Sequence, residues 1–325
     1  AEDAYIVASE PYGVVEETAE YVRMDGEHGG EIFVLDGDHA GELSGILRLG
    51  YDGTEHPVGV DDVTRAEVTT RDINRGDAPH FLLKEISEAP TSFGKTLRGK
   101  LAEHEDGLRA DVGERALPPE IAARLRAGTI TRVRVIGQGT AAVAGQSTAA
   151  ILDELTGSGL DVDAITATEL SGFAMRLDMS DTLVIAVSQS GTTTDTNRTV
   201  DLLRSRGAAV IGIVNRRGSD LTDKADGVMY TSDGRDVEMS VASTKAFYAQ
   251  VAAGALLSCA IAEASGLGDA RRRHDLLASQ PENPPAMRPV LPRSEPIADA
   301  ARLSTSKRNW ADVGHGPNKV AAEDV

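Results

Sequence analysis

The segment between Thr131 and Gly266 limits the possible folds of this chain more than any other, because short apolar runs alternate there with amphipathic helical patterns. Such alternation is typical of a parallel sheet that is covered by helices on both faces. The patterns predict strands at residues 133–136, 162–166, 183–187, 210–214 and 228–231, and helices at 141–155, 169–177, 194–205 and 241–264. The predicted fold class is therefore α/β, with a doubly wound parallel sheet flanked by helices.

The region before this segment follows two other patterns. Residues 1–75 alternate short apolar runs with turn residues, and the pairs Asp36-Gly37 and Asp52-Gly53 are typical of hairpins. This part is expected to be β-rich with few helices. From Asp77 to Ala127 the apolar spacing becomes helical, which predicts a helical connector.

The region after the segment is rich in proline. Six of the 13 prolines lie between Pro281 and Pro296, a density that predicts an irregular linker. The last residues, from Asn309 onward, have the pattern of a strand, a glycine turn and an opening helix. The chain is therefore expected to be an internal piece of a longer protein, cut within a domain at both ends.

Composition and charge exclude several classes of protein. The longest nearly apolar stretch, Val251 to Ala264, is 14 residues long, too short for a bilayer that needs about 20. The net charge of −18 comes without a basic patch, so binding to nucleic acid is not expected. Cys259 is the single cysteine, and the opening residues lack a basic segment, so a reducing, cytoplasmic location is expected.

The first loop that could bind a ligand follows the first predicted strand of the sheet. Gly137, Gly139 and Ala142 satisfy the loose dinucleotide pattern G-x-G-x-x-G/A, and Asp161 lies about 20 residues further on. Glycines at such a junction let the backbone approach a phosphate, but they also simply form a tight turn. Both interpretations stay open.

The second loop gives a stronger signal. The sequence SQSGTTTDT, residues 188–196, follows a buried strand and opens a helix. A helix N-terminus carries unpaired N–H groups and about half a positive charge, which favour an anion there. The loop lacks the lysine that a P-loop requires, so it fits a phosphate monoester better than a nucleoside triphosphate. The alternative is that these hydroxyls only cap the helix.

A third segment, Glu238 to Phe247, opens the long apolar helix. Ser243 and Thr244 are candidates for its cap. Lys245 is either a solvated helix lysine or a cation that faces the phosphate.

Two of these segments resemble a known family. SQSGTTTDT and SVASTKAF, the latter at residues 240–247, resemble the signature segments of the sugar isomerase (SIS) domain in the glutamine-fructose-6-phosphate aminotransferases. FLLKEISEAP, at residues 81–90, is similar to the segment ahead of that family's first SIS domain. The opening residues are similar to the end of its glutamine-hydrolysing domain. The resemblance implies a partial β-rich glutaminase-like domain at 1–76, a helical connector at 77–128, an SIS domain at 129–278, and a linker with the start of a second SIS domain at 279–325.

The resemblance also implies a site for a sugar phosphate, either fructose 6-phosphate or glucosamine 6-phosphate. Matched by motif, the residues that would hold it are Gly139, Thr140, Ser188, Gln189, Ser190, Thr193, Val241 and Ser243. Ala141 departs from the family, which usually has serine at this position. No cofactor, metal or membrane contact is implied, whereas a homodimer is.

The family's activity is the transfer of the glutamine amide nitrogen to fructose 6-phosphate, which gives glucosamine 6-phosphate in the first step of hexosamine synthesis. Its nucleophilic cysteine, its proton-transferring glutamate and its C-terminal lysine match no position in residues 1–325, so no catalytic residue is assigned. Two other interpretations stay open: a non-catalytic sugar-phosphate sensor, and a nicotinamide-dependent dehydrogenase built on the glycines at 137 and 139.

Overall fold

The computed structural model describes residues 3–8, 11–24, 31–66, 73–105, 107–240, 242–309, 311–315 and 317–322. The chain divides into two compact units, residues 1–76 and residues 77–325. The second unit contains the parallel sheet.

The first unit is built from short antiparallel strand pairs. Its strands are β1 (Glu20–Val22), β2 (Glu31–Leu35), β3 (Ile46–Gly50) and β4 (Val63–Arg65). Strand β1 pairs with β4, and β2 pairs with β3. The helical turns described within residues 3–66 are all of the 3-10 type, so the expectation of a β-rich region with few helices is confirmed.

The two hairpin signals in this unit have different outcomes. Asp36 does not form a two-residue turn, because its side chain accepts a hydrogen bond from Asp38 N (3.0 Å) and opens a ten-residue connection between β2 and β3. Asp52-Gly53 does form a tight turn, in which Gly53 has φ +83° and donates to the Gly50 carbonyl (2.9 Å).

The second unit alternates strands and helices. Its strands are β5 (Leu101–His104), β6 (Gly107–Ala110), β7 (Arg132–Gly137), β8 (Asp161–Thr166), β9 (Thr182–Ser188), β10 (Ala209–Val214) and β11 (Gly227–Tyr230). Its helices are α1 (Phe81–Leu97), α2 (Pro119–Arg126), α3 (Thr140–Thr156), α4 (Ala167–Glu169), α5 (Thr194–Ser205), α6 (Asp220–Lys224), α7 (Lys245–Ala264), α8 (Ala270–Ser279), α9 (Asn283–Met287), α10 (Ser294–Ser304) and α11 (Pro317–Ala322).

Strands β7 to β11 form the parallel sheet, in the order β11-β10-β9-β7-β8. All five predicted strands are present, each within two residues of its expected bounds. The chain leaves β7 to place β8 on one side and then returns to place β9 on the other. The carboxyl ends of β7 and β9 therefore form a topological switch point, where open α/β sheets usually bind their ligands.

The core lies on both faces of this sheet. Leu183, Ile185 and Val187 pack in one apolar cluster with α3 and α7, while Val184 and Ala186 pack in a second cluster on the opposite face. Alternation of this kind follows from the two-residue period of a strand. All residues of β9 and β10 are buried, which explains why these strands are continuous apolar runs.

The expected helical connector at 77–128 is only partly helical. Helices α1 and α2 are present, but β5 and β6 form an antiparallel hairpin between them. The backbone N–H of Leu108 in β6 donates to Nδ1 of His274 in α8 (2.9 Å). The hairpin is thus held by a helix that lies far along the chain, which local spacing could not indicate.

The prediction of an irregular linker at the proline-rich segment was wrong. Residues 280–304 form a succession of short α and 3-10 helices. Several of the prolines occupy first-turn positions, where the missing N–H has no partner within a helix. Pro284 is buried against α1, where a Cβ at Gly94 would lie 3.8 Å from its Cγ.

Two smaller predictions also fail. The helix expected at 169–177 ends earlier, because α4 passes into a single π-type segment over Leu170–Ala174 and leaves Phe173 and Leu177 exposed. The strand expected after Asn309 is absent from the described residues 311–315, whereas the expected helix is present as α11.

Candidate functional site

A cavity of about 380 Å³ lies at the switch point between β7 and β9. This volume is within the range of small-molecule sites in proteins, about 300 to 1,000 Å³. Its described lining residues are Gln138, Gly139, Thr140, Ala141, Val187, Ser188, Gln189, Ser190, Thr193, Glu238, Ser240, Ala242, Ser243 and Gln250. Three chain segments therefore meet here: the turn after β7, the loop after β9 and the segment that leads into α7.

Hydroxyl groups of the loop after β9 accept hydrogen bonds from the loop itself. Ser188 Oγ accepts from Gly191 N (3.0 Å), and Ser190 Oγ accepts from both Thr192 N (3.2 Å) and Thr192 Oγ1 (2.9 Å). A hydroxyl that accepts still has its own proton to donate. The loop is therefore rigid, yet the proton of Ser190 can be donated to a ligand in the cavity.

Gly191 fixes the course of this loop. Its φ of +68° lies in the left-handed region, and a Cβ there would lie 2.0 Å from Ser219 Oγ. Its carbonyl accepts from Leu221 N in α6 and from Asn197 Nδ2 in α5, both at 3.0 Å. A glycine is required because both the backbone angle and the close approach of Ser219 exclude a side chain.

The N-terminus of α5 opens beside the same loop. Thr193 is its N-cap residue, but the Thr193 side chain makes no capping hydrogen bond and instead lies 3.4 Å from Ser188 Oγ. The first N–H groups of a helix carry partial positive charge and favour an anion. Hydroxyl donors and an uncapped helix end thus converge on one side of the cavity.

The turn after β7 forms the opposite side. A Cβ at Gly137 would lie 2.9 Å from the backbone nitrogen of Ala142, and Gly139 has φ +56°. These two glycines allow the chain to pass directly from β7 into α3, whose first residue is Thr140. Thr140 and Ala141 are brought to the cavity by this tight turn.

The segment before α7 is held by two carboxylates. Glu238 accepts from Thr244 N (2.8 Å), Thr244 Oγ1 (3.0 Å), Ser243 Oγ (3.2 Å) and Ala246 N (3.3 Å). Glu85 of α1, fully buried, accepts from Met239 N (2.5 Å), and from both the backbone N–H (3.2 Å) and the hydroxyl of Ser240. Helix α1 therefore positions the third wall of the cavity.

Neither interpretation of Lys245 is correct. The residue is 4% exposed, so it is not solvated, and it is absent from the cavity lining. Its Nζ lies 2.6 Å from Glu88 Oε2 in α1, which neutralises its charge. The donors that face the cavity are therefore neutral groups and helix ends.

The dinucleotide interpretation fails on the position of Asp161. This residue begins β8, at the amino end of the sheet, opposite the cavity. Its carboxylate pairs with Arg134 (2.8 Å) and Arg132 (3.2 Å). The hydrogen bond from Arg134 and the charges of both arginines outweigh burial and keep the pKa of Asp161 below its ordinary value. An acid in this place is an ion-pair partner and cannot bind a ribose at the cavity.

Seven of the eight predicted site residues line the cavity, and Val241 lies outside the described residues. Their role in binding stays a prediction. Sequence reasoning missed Glu238, Ser240 and Gln250. A sequence pattern does single out Gln250. Gln250, Gly254 and Ser258 recur every four residues and form a stripe of small or polar residues along a mostly apolar helix.

Other chemistry is not indicated by the described residues. They contain no cluster of His, Cys, Asp and Glu able to hold a metal ion. Cys259 is buried in α7, and burial raises the pKa of its thiol to about 12. Helix α7 is long and apolar enough to cross a membrane, but 83% of its most apolar window is buried inside the protein.

The fold and the site define a class of protein, the SIS-domain proteins. Residues 130–260 match the SIS domain family, and this part of the chain is an SIS domain. The glutamine–fructose-6-phosphate aminotransferase of Thermus thermophilus is 31% identical over 83% of this chain and 43% of its own length. An enzyme of the same name from Arabidopsis thaliana is 28% identical over 98% of this chain and 46% of its own length. The chain thus spans less than half the length of these relatives.

A solved structure supports the same fold. The C-terminal domain of glucosamine-fructose-6-phosphate aminotransferase from Francisella tularensis matches with a TM-score of 0.66 at 21% identity. The match covers 77% of this chain and 66% of that chain.

Proposed function

We propose that this chain is the sugar-phosphate-binding part of an aminotransferase that transfers the amide nitrogen of glutamine to fructose 6-phosphate and forms glucosamine 6-phosphate. The similarity to relatives of that name supports the reaction. The observation that carries the proposal for this chain is the uncapped N-terminus of α5, which faces a cavity lined by hydroxyl donors.

Within the site, each segment has a proposed task. Ser188, Ser190 and Thr193 donate hydrogen bonds to the phosphate, and the N–H groups at the start of α5 share its charge. Gln189 lies beside them as a polar clamp. The turn at 139–140, together with Val241 and Ser243, contacts the sugar. Fixing the phosphate in this way orients the reacting carbons of the substrate without touching them.

These residues hold the substrate and do not transfer its protons. Glu238 is the single ionisable side chain among the described lining residues, and four hydrogen bonds at the start of α7 occupy its carboxylate. We therefore assign no catalytic residue to the described part of the chain.

The family relationship extends the proposal to organisation. We propose that residues 1–76 are the end of a glutaminase-like domain, 77–128 a connector, 129–278 the SIS domain, and 279–325 a linker followed by the start of a second SIS domain. A homodimer and a cytoplasmic location complete the proposal, since the similarity to the aminotransferases implies both.

Calorimetric titration tests the site directly. Fructose 6-phosphate and glucosamine 6-phosphate are expected to bind, whereas unphosphorylated fructose is not. Ser190→Ala should weaken both sugar phosphates by about 1 to 3 kcal/mol, because it removes a donor to a charged group. Ser205→Ala is the matched control, since Ser205 lies at the far end of α5 and donates to the Leu202 carbonyl (2.8 Å). Equal binding of fructose and its phosphate would contradict the proposal.

A further inference from the structure

Gln250 is a buried polar residue whose side chain has an unmet hydrogen bond. The residue lies in the second turn of α7, is 2% exposed and lines the cavity. Its Oε1 is buried and has no partner among the described residues. Leaving a buried acceptor unpaired costs about 1 to 3 kcal/mol, and nearly all such atoms in native proteins are paired. The chain therefore leaves one hydrogen bond of the Gln250 carboxamide unmet, although the residue itself borders the cavity.

The packing of α7 on α3 explains why the protein itself supplies no donor. Gly254 and Ser258, one and two turns further along the same face as Gln250, both meet Thr148 of α3. A Cβ at Gly254 would lie 2.1 Å from Thr148 Oγ1, and Ser258 Oγ donates to the Thr148 carbonyl (3.2 Å). Thr148 Oγ1 in turn donates to the Ala144 carbonyl (3.1 Å), so the polar groups of this contact satisfy one another.

Toward the cavity, the same face of α7 loses its partners. Near its start, α3 contributes Thr140 and Ala141 to the cavity that Gln250 also lines. An alanine has no side-chain donor. Gln250 lines this cavity one turn of α7 before the close packing at Gly254.

We propose that Gln250 is a specificity-determining residue, whose carboxamide forms a hydrogen bond with a sugar hydroxyl of a phosphorylated substrate. The inference rests on the proposed function of the same cavity, since the loop at 188–193 would hold the phosphate while Gln250 recognises the carbon chain. A buried carboxamide that binds a hydroxyl discriminates against ligands that lack one, because such ligands leave the carboxamide unpaired.

The test compares two ligands and two substitutions by calorimetry. Gln250→Leu, with Gln250→Met as a second unbranched replacement, should weaken fructose 6-phosphate about tenfold and leave the affinity for inorganic phosphate within twofold. The unfolding midpoint in urea should stay unchanged or rise, since an apolar group of similar shape replaces an unpaired polar one.

Gln280→Leu provides the matched control. Gln280 is also buried, but its Nε2 donates to the Leu276 carbonyl (3.2 Å) and it does not line the cavity. Its replacement should lower the urea midpoint and leave binding of both ligands unchanged.

The outcomes separate the inference from the proposed function. If the unmodified chain binds neither fructose 6-phosphate nor phosphate, both ideas are wrong. If it binds both ligands, but Gln250→Leu and Gln250→Met bind fructose 6-phosphate with unchanged affinity, only the inference is wrong. Loss of stability, with equal weakening of both ligands, would mean that Gln250 is structural and bonded to a buried water only, which also overturns the inference.

Discussion

Helices α5 and α7 both begin beside the same cavity, yet their first turns are satisfied in opposite ways. At α7 a carboxylate of the chain itself, Glu238, accepts hydrogen bonds from the backbone N–H groups of Thr244 and Ala246 and from two neighbouring hydroxyls. The N-cap residues of both helices, Thr244 and Thr193, make no side-chain capping bond, and at α5 no carboxylate of the described residues takes the place of Glu238. One helix end is closed by an internal anion, and the other is open.

The difference indicates that the start of α7 contributes to stability, whereas the start of α5 is available for binding. A capping side chain stabilises a helix by about 1 kcal/mol, and a carboxylate at a helix N-terminus adds to this through the helix dipole. The N-terminus of α5 lacks that stabilisation, so its partial positive charge is available to an anionic ligand. Glu238 leaves no such end at α7, and the phosphate is expected at α5 alone.

The largest expected effect comes from adding a side chain to Gly191, in the loop that leads to α5. Gly191→Ala should lower the free energy of unfolding by about 3 to 5 kcal/mol, because it adds both backbone strain and a clash with Ser219. Urea denaturation measures the loss. Gly218→Ala is the matched control: Gly218 has φ +59° but no heavy atom within 4 Å of the added Cβ, so about 1 to 2 kcal/mol of strain alone is expected. Equal losses would show that the approach of Ser219 is unimportant.

A smaller effect is expected from opening the closed end. Glu238→Ala should destabilise the protein by about 1 to 3 kcal/mol, since it leaves the first N–H groups of α7 without their acceptor. Glu238→Gln should lose less, because its amide oxygen can still accept while the charge is gone. Urea denaturation again gives the values. If Glu238→Ala were as stable as the unmodified protein, water would satisfy the N-terminus of α7 no less effectively than the carboxylate does.

The same experiment at the open end should barely change stability. Thr193→Val keeps the shape of the side chain and removes a hydroxyl that caps nothing, so the free energy of unfolding should change by less than about 0.5 kcal/mol. Its affinity for fructose 6-phosphate should fall about tenfold, measured by calorimetry, if the hydroxyl contacts the phosphate. A destabilisation as large as that of Glu238→Ala would mean that Thr193 is a cap after all, and that the two ends do not differ.

The open end could be predicted from the sequence, whereas the closed end could not. The loop at 188–193 contains several hydroxyls and a glycine directly after a buried strand. The strand before it and the helix after it are adjacent to it in sequence. Glu238 accepts from the start of α7 only because the irregular segment between them folds back. Glu85 accepts from Met239 although it lies in α1, far away in the sequence. The five strands were likewise visible as buried runs, because a parallel strand is apolar on both faces. The hairpin at 101–110 depends on contacts with α8, and no local pattern records such contacts.

Lys245 illustrates the same limit. Its position in the first turn of α7 fits either solvent exposure or a ligand contact, but the side chain is buried against Glu88 of α1. Only the packing of α1 on α7 decides between these outcomes. Distant elements therefore determine which charges reach the cavity.

The smallest expected effect is a difference in acid sensitivity between the two ends. The α7 side depends on carboxylates, since Asp236 pairs with Lys95 (2.7 Å) near the segment that leads into α7. Burial raises the pKa of Asp236, but hydrogen bonds from Lys95 and Ser92 and the nearby lysine charges outweigh burial and hold the pKa below its ordinary value. The α5 loop, at 188–193, contains no ionisable side chain.

The sign of the pH effect follows from that lowered pKa. The unfolded state binds the proton more readily than the folded state, so the stabilisation is complete above about pH 5 and is lost progressively as the pH falls through 4. Asp236→Asn should therefore flatten the dependence of the urea midpoint between pH 6 and pH 3. Hydrogen exchange, corrected for its intrinsic pH dependence, should accelerate at residues 236–246 before it does at 188–193. If exchange accelerated in both segments at the same pH, the two helix ends would unfold together. The carboxylates would then give the α7 end no stability of its own.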